Sequence, residues 1–235
     1  MRSKVILAIG AHADDTDFSA SGTVAKFIKD GATAYYLICT NGNKGSDDPK
    51  ITSEKLAQIR RNEQENAAKV LGVKKIFFLD HNDGELEVTL KLKEEIVRVI
   101  RQVKPTTVIT MDPTMRFSVG LGYINHPDHL AMSEAALSAI YPLARDRLTF
   151  PDHEREGLKP WKVGEVLLSN FDDANCFVDI SQTFEIKLKA LKEHKSQIKD
   201  MQKMEDQMKK RCSQLGKKIK VKYAESFRRL LIDFV

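Results

Sequence analysis

Cysteine is scarce in this chain. The three present, Cys39, Cys176 and Cys212, are odd in number and far apart, with no C-x-x-C pair. That argues against a disulfide framework and against a thiolate zinc site. Cys39 and Cys176 lie in apolar runs and read as small buried hydrophobes. Long apolar runs are missing too, since none approaches the roughly 20 residues that span a bilayer. The start, MRSKVILAIGAHADD, opens basic, but polar residues cut its apolar run short and no small-residue cleavage site follows. It reads as the first strand of a cytoplasmic protein with no membrane partner. Internal repeats, low-complexity linkers and composition breaks are absent as well. The 235 residues, 42% hydrophobic and 30% charged, fit one domain, residues 1–235, that buries most of its apolar surface without staples.

The net charge of +5 is mild but uneven. Lys209 to Lys222, KKRCSQLGKKIKVK, holds seven basic residues and no acidic one. Such a run reads as a solvated face near the C-terminus; the alternative is a non-catalytic or nucleic-acid-binding Rossmann-like domain that uses it. No aromatic residue interleaves before Tyr223, and no nucleic-acid-binding motif appears.

Strand-like and helix-like segments alternate with little loop between them. KVILAIGA, TAYYLICT, KKIFFLD and TTVITMD are short β-rich runs. Between them lie helical patterns: GTVAKFIKDG with Val24, Phe27 and Ile28 on one face; a second from Ser53 as cap to Gly72; a third from Thr89 as cap, ended by Pro105. This βαβαβαβ order implies an α/β fold, a Rossmann-like, mainly parallel sheet with helices on both faces. An irregular stretch, PTMRFSVGLGYIN, precedes a helix that carries Pro127 in its first turn. GEVLLSN and CFVDIS are further strands. From Ser181 one long C-terminal helix is expected, with a stripe from Phe184 through Met201, Met204 and Met208 to Leu215 that packs on the domain or on a second subunit of a homo-oligomer.

Open α/β sheets bind ligands at the carboxyl ends of strands, where strand order reverses. In a 3-2-1-4 order, strands one and four are neighbours at that point. His12, Asp14 and Asp15 leave the end of strand one; His126, Asp128 and His129 follow strand four after one loop. Neighbouring aspartates repel, and a cation between them relieves the repulsion. Histidine and aspartate donors suit Zn²⁺ or another divalent first-row metal, and two histidines with one carboxylate leave a position open for water. Tyr123, in the glycine-flanked loop before NHPDH, is a candidate substrate contact, and Asp112, ending strand four, a candidate partner for a ligating histidine. His81, after strand three, reads as a loop histidine, the alternative being a place on the site rim. His153 and His194 have no acidic or histidine partner at ligand spacing.

AHADD after the first strand and HPDH after the fourth resemble the LmbE/PIG-L family of zinc-dependent N-deacetylases. The resemblance extends over nearly the whole chain, through RRNEQENAAKVLGV, HKSQ (His194 to Gln197) and YAESF. It implies that His12, Asp15 and His129 are the metal ligands and Asp14 the general base. His126 would stabilise the tetrahedral intermediate or aid proton transfer, with Asp128 orienting it, and Arg60 would hold polar groups of the substrate. Two positions depart from the common pattern: Ala13 stands where many members have proline, and Asp17 where many have glutamate. The substrate class implied is a small acetylated amino sugar, either a soluble N-acetylglucosaminyl conjugate or a short chitin oligosaccharide. A nucleotide- or S-adenosylmethionine-binding domain would need a glycine-rich turn after strand one, where GAHADD supplies aspartates instead.

Overall fold

The structure, a computed structural model, describes residues 4–119, 122–170 and 173–232; Gly120 and Leu121 of the irregular stretch lie outside them. The first half alternates β1 (Val5–Gly10), α1 (Asp15–Lys29), β2 (Thr33–Thr40), α2 (Ser53–Leu71), β3 (Lys75–His81), α3 (Leu90–Val103) and β4 (Thr107–Met111). A hairpin of β5 (Phe117–Ser118) and β6 (Tyr123–Ile124) leads to α4 (Pro127–Ser138) and α5 (Pro151–Arg155). The remainder is β7 (Glu165–Ser169), β8 (Cys176–Asp179), α6 (Phe184–Leu191), α7 (Met201–Lys218) and β9 (Ala224–Leu231).

Local chemistry sets most boundaries. Thr89 caps α3 by accepting the Leu92 N–H. The cap of α2 is Thr52 rather than Ser53; its hydroxyl accepts from the Lys55 N–H, and Gly72, at φ 81°, closes the far end. Helix α1 begins at Asp15, well before the amphipathic stretch that announced it.

Seven strands form one sheet in the order β3-β2-β1-β4-β7-β9-β8. All neighbours are parallel except β9, which runs antiparallel to both β7 and β8. Alternate side chains of the central strands face opposite layers. Leu7, Ile9, Leu37 and Val108 pack under α3 and α4, whereas Ile6, Ala8, Tyr36 and Ile109 pack under α1, α2 and α6. Strand β9 has no counterpart in the sequence reading. Glu225, Arg228 and Arg229 break its apolar character, and its pairing with two neighbours makes it a strand.

The single helix expected from Ser181 is two helices. Residues 192–200 turn between α6 and α7, and Asp200 caps α7 by accepting the Lys203 N–H. The turn is held by buried polar bonds: His194 Nε2 lies 2.8 Å from Asp17, and Ser196 donates its N–H and hydroxyl to Glu63. The methionine stripe folds back on its own chain, with Met204, Met208 and Cys212 clustering with Phe184 and Leu188.

Candidate metal centre

Strands β1 and β4 lie side by side, and the chain leaves them toward opposite faces, into α1 and α4. The crevice so formed receives both sequence motifs. His12 Nδ1 and His129 Nε2 lie 3.2 Å apart. Asp15 Oδ1 is 3.1 Å from His129 Nε2, and Asp15 Oδ2 is 3.5 Å from His12 Nδ1. Donors bound tetrahedrally at zinc distances are separated by about 3.3–3.4 Å, so the three residues fit one such ion. They also line a cavity of about 540 Å³, together with Asp14, Asp83, Tyr123 and His126.

The outer nitrogen of each histidine is tied down. His12 Nε2 lies 3.0 Å from Asp128 Oδ2 and 3.3 Å from Asp83 Oδ1. His129 Nδ1 donates to Asn125 Oδ1 at 2.9 Å, which leaves the Nε2 lone pair facing the cluster. Asp128 accepts further bonds from the Gly84 and Leu86 N–H groups, at 2.7 and 3.1 Å. His12, Asp83, His126 and Asp128 also stand close enough to form a cation cluster. Their carboxylates accept from backbone N–H groups and Arg60 and face His12.

Charge balance points the same way. Burial disfavours a charged His12, but Asp128, Asp15 and Asp83 outweigh it and its pKa is pushed up to about 12. Three carboxylates around one ring call for a cation, which a divalent ion satisfies as a proton does. Burial likewise works to raise Asp15, yet His129 and His12 hold it well below the usual carboxylate range. Asp14 rises to about 6, through burial and the neighbouring Asp15 charge, with Arg60 partly offsetting both. His126 is lowered by burial and by the charge on His12, leaving it neutral at pH 7.

The remaining expected residues are placed as follows. His126 caps α4, its Nδ1 accepting the Asp128 N–H at 3.2 Å. The Asp128 carboxylate, expected to orient His126, is 3.9 Å from that nitrogen and holds His12 instead. Arg60 is only 5% exposed; it donates to the Ala13 carbonyl and pairs with Asp83 at 3.4 Å. Tyr123 borders the cavity and donates its hydroxyl to Asn125. Asp112 meets no histidine: Thr114, Asn170 and Arg228 surround it. His81 pairs with Glu95 and His153 with Glu94. The basic run forms the end of α7 and the turn after it, where Lys209 pairs with Glu205 and Cys212 is buried.

Asp83, Asn125 and Gln64 were missed. Asp83 and Asn125 show no ligand spacing, although Asp83 sits just past a parallel strand, where such sites form. Gln64 lies mid-helix, where sequence offers no cue.

Residues 7–140 match the family described as PIG-L: GlcNAc-PI de-N-acetylase, and the chain belongs to it. Fold and cluster therefore define a metal-dependent de-N-acetylase class, a group of hydrolases acting on carbon–nitrogen bonds. Diacetylchitobiose deacetylase of Thermococcus kodakarensis is 35% identical over 199 residues, 83% of this chain and 70% of that protein. A probable N-acetyl-alpha-D-glucosaminyl L-malate deacetylase 2 of Bacillus cereus is 28% identical, covering 83% of this chain and 84% of its own length. The structure of N,N'-diacetylchitobiose deacetylase from Pyrococcus horikoshii superimposes with a TM-score of 0.89 at 30% identity, covering 98% of this chain and 85% of that one. The nucleic-acid-binding alternative finds no support in these matches.

Proposed function

We propose that the chain, as one catalytic domain over residues 1–235, removes the acetyl group from a small N-acetylglucosamine-type sugar with a zinc ion held by His12, Asp15 and His129. The observation that carries this reading is the convergence of those three donors, 3.1–3.5 Å apart, on a cavity that Asp14 and His126 also line. Zinc held there would supply a Lewis acid to polarise the acetamide carbonyl and acidify water; another divalent first-row ion suits the same donors. The protein's own groups do the rest. Asp14, on the wall of the same cavity and next to Asp15, is placed to take a proton from the attacking water. The His126 Nδ1 accepts the Asp128 N–H, so the neutral ring carries its proton on Nε2 and offers it to the developing oxyanion. Return of the proton to the nitrogen breaks the C–N bond, leaving acetate and the free amine. Tyr123 and Arg60, both on the cavity wall, are the substrate contacts in this reading, and Arg60 also holds Ala13 and Asp83.

A short chitin oligosaccharide is the favoured substrate, because the 35% identical relative and the well-superimposed structure both bear the name of a diacetylchitobiose deacetylase. An N-acetylglucosaminyl conjugate is the second reading, supported by the 28% identical relative. No helix among the described residues is long and apolar enough to cross a membrane. The free cysteines support a cytoplasmic setting, and the exposed Phe117, Val119 and Ile124 around the hairpin support a homo-oligomer. Acetate release from N,N'-diacetylchitobiose and from N-acetylglucosaminyl malate, with and without chelator, tests the reading. Chelator-sensitive release from the first is expected; release from neither overturns the substrate class.

A further inference from the structure

The backbone at Asp14 has φ 95° and ψ −31°, on the side of conformational space that L-residues rarely adopt. Both polar atoms of the peptide group just before it are gripped by one helix. Arg60 Nη2 donates to the Ala13 carbonyl at 3.0 Å, and the Asp14 N–H donates to Gln64 Oε1 at 2.9 Å. Residues 60 and 64 are one turn apart on α2 and so share a face. Gly42 makes the room: a Cβ there would come within 2.8–2.9 Å of the Arg60 side chain.

The other end of the Gln64 amide donates to Asp17 Oδ2 at 2.9 Å. Asp17, fully buried, also accepts the Tyr36 hydroxyl at 3.0 Å and lies 2.8 Å from His194 Nε2. A backbone N–H can only donate, so the Asp14 N–H takes the amide oxygen and the amide nitrogen is left to face Asp17. Neither Gln64 nor Asp17 is among the residues lining the cavity.

We propose that Gln64 is a positioning residue for Asp14: by holding the Asp14 N–H, with its amide oriented by Asp17 and His194, it keeps this strained turn directing the carboxylate at the metal cluster. The inference rests on Asp14 acting as the base. It gives the HKSQ element a task, since His194 secures Asp17 while Ser196 fastens the same turn to Glu63 on α2.

Gln64→Met keeps the volume and removes both hydrogen bonds. In the metal-loaded protein kcat should fall on the order of 10- to 100-fold, with KM and bound metal per chain unchanged. In an Asp14→Asn background the same substitution should cost nothing further, because Gln64 acts only through that carboxylate. An unchanged kcat, or an equal loss in both backgrounds, overturns the inference. Should Gln64→Met fail to fold, His194→Gln loosens Asp17 from its far end: a several-fold fall in kcat at constant KM supports the inference, and an unchanged kcat refutes it. A fully active Asp14→Asn removes the base assignment and this inference together, whereas a silent Gln64→Met leaves the base assignment standing.

Discussion

Asp15 and Asp17 stand two residues apart in the first turn of α1, and each faces a histidine. Asp15 lies 3.1 Å from His129 and opens on the cavity. Asp17 lies 2.8 Å from His194, is sealed from solvent and is ringed by Tyr36 and Gln64. The residue types match, yet one pair belongs to the proposed ion site and the other is a strut. Two things separate them: a second histidine at ligand spacing, and access. Behind the strut the same logic continues, with Lys187 donating to the carbonyls of Asp17 and Phe18 and to Glu225, all within 2.9 Å. The turn that presents Asp14 and Asp15 is thus gripped from below by groups that do not line the cavity.

That contrast can be broken or sharpened by substitution. The largest effect belongs to His129→Ala, which should abolish both bound metal and acetate release in a folded protein. Retention of one ion per chain by that variant would place the ion elsewhere and dissolve the distinction. Asp14→Asn comes next, with kcat lower by about 10²- to 10⁴-fold and metal content unchanged by elemental analysis. Asp128→Asn, which weakens the support of His12, should lower metal affinity by roughly 10- to 100-fold, measured by competition with a chromogenic chelator.

The smallest effect on activity belongs to His194→Gln, whose signature is stability. Removing one partner of a buried pair should cost about 3 kcal/mol in denaturant unfolding. Its pH dependence has a defined sign. Burial acts to lower the His194 pKa, but the bond and charge of Asp17, with Asp14 and Glu63 beyond, leave it raised above 6.5. The contribution of the pair is therefore complete below pH 6.5 and fades as pH rises through the higher folded-state value. The stability gap between wild type and variant should be wider at pH 6 than at pH 9. A gap that widens with pH would mean that His194 is held neutral.

Much of this was legible beforehand, for reasons that differ by element. Strands β1, β2 and β4 announce themselves because strands buried on both faces need continuous apolar runs, and the usual order of the first four, 3-2-1-4, is the one found. The meeting of the motifs that carry His12, Asp15 and His129 was legible because each is compact and sits past the end of a parallel strand. Strand β9 was not, since charges interrupt its sequence and its pairing comes from β7 and β8. The break between α6 and α7 was hidden because the apolar stripe continues in phase across it. The reach of Asp128 toward His12 rather than His126 depends on side-chain direction, which spacing does not report.

By itself the sequence determined the alternation of elements, the two histidine–aspartate motifs and their attachment to β1 and β4, because periodicity and chain connectivity are local properties. Only the tertiary structure decided which carboxylate opens on the cavity and which braces the fold, that Asp83 and Asn125 join the cluster, and that α2 clamps the peptide before Asp14. Those outcomes depend on distances between segments remote in the chain and on which groups remain open to solvent, and both arise when the layers pack.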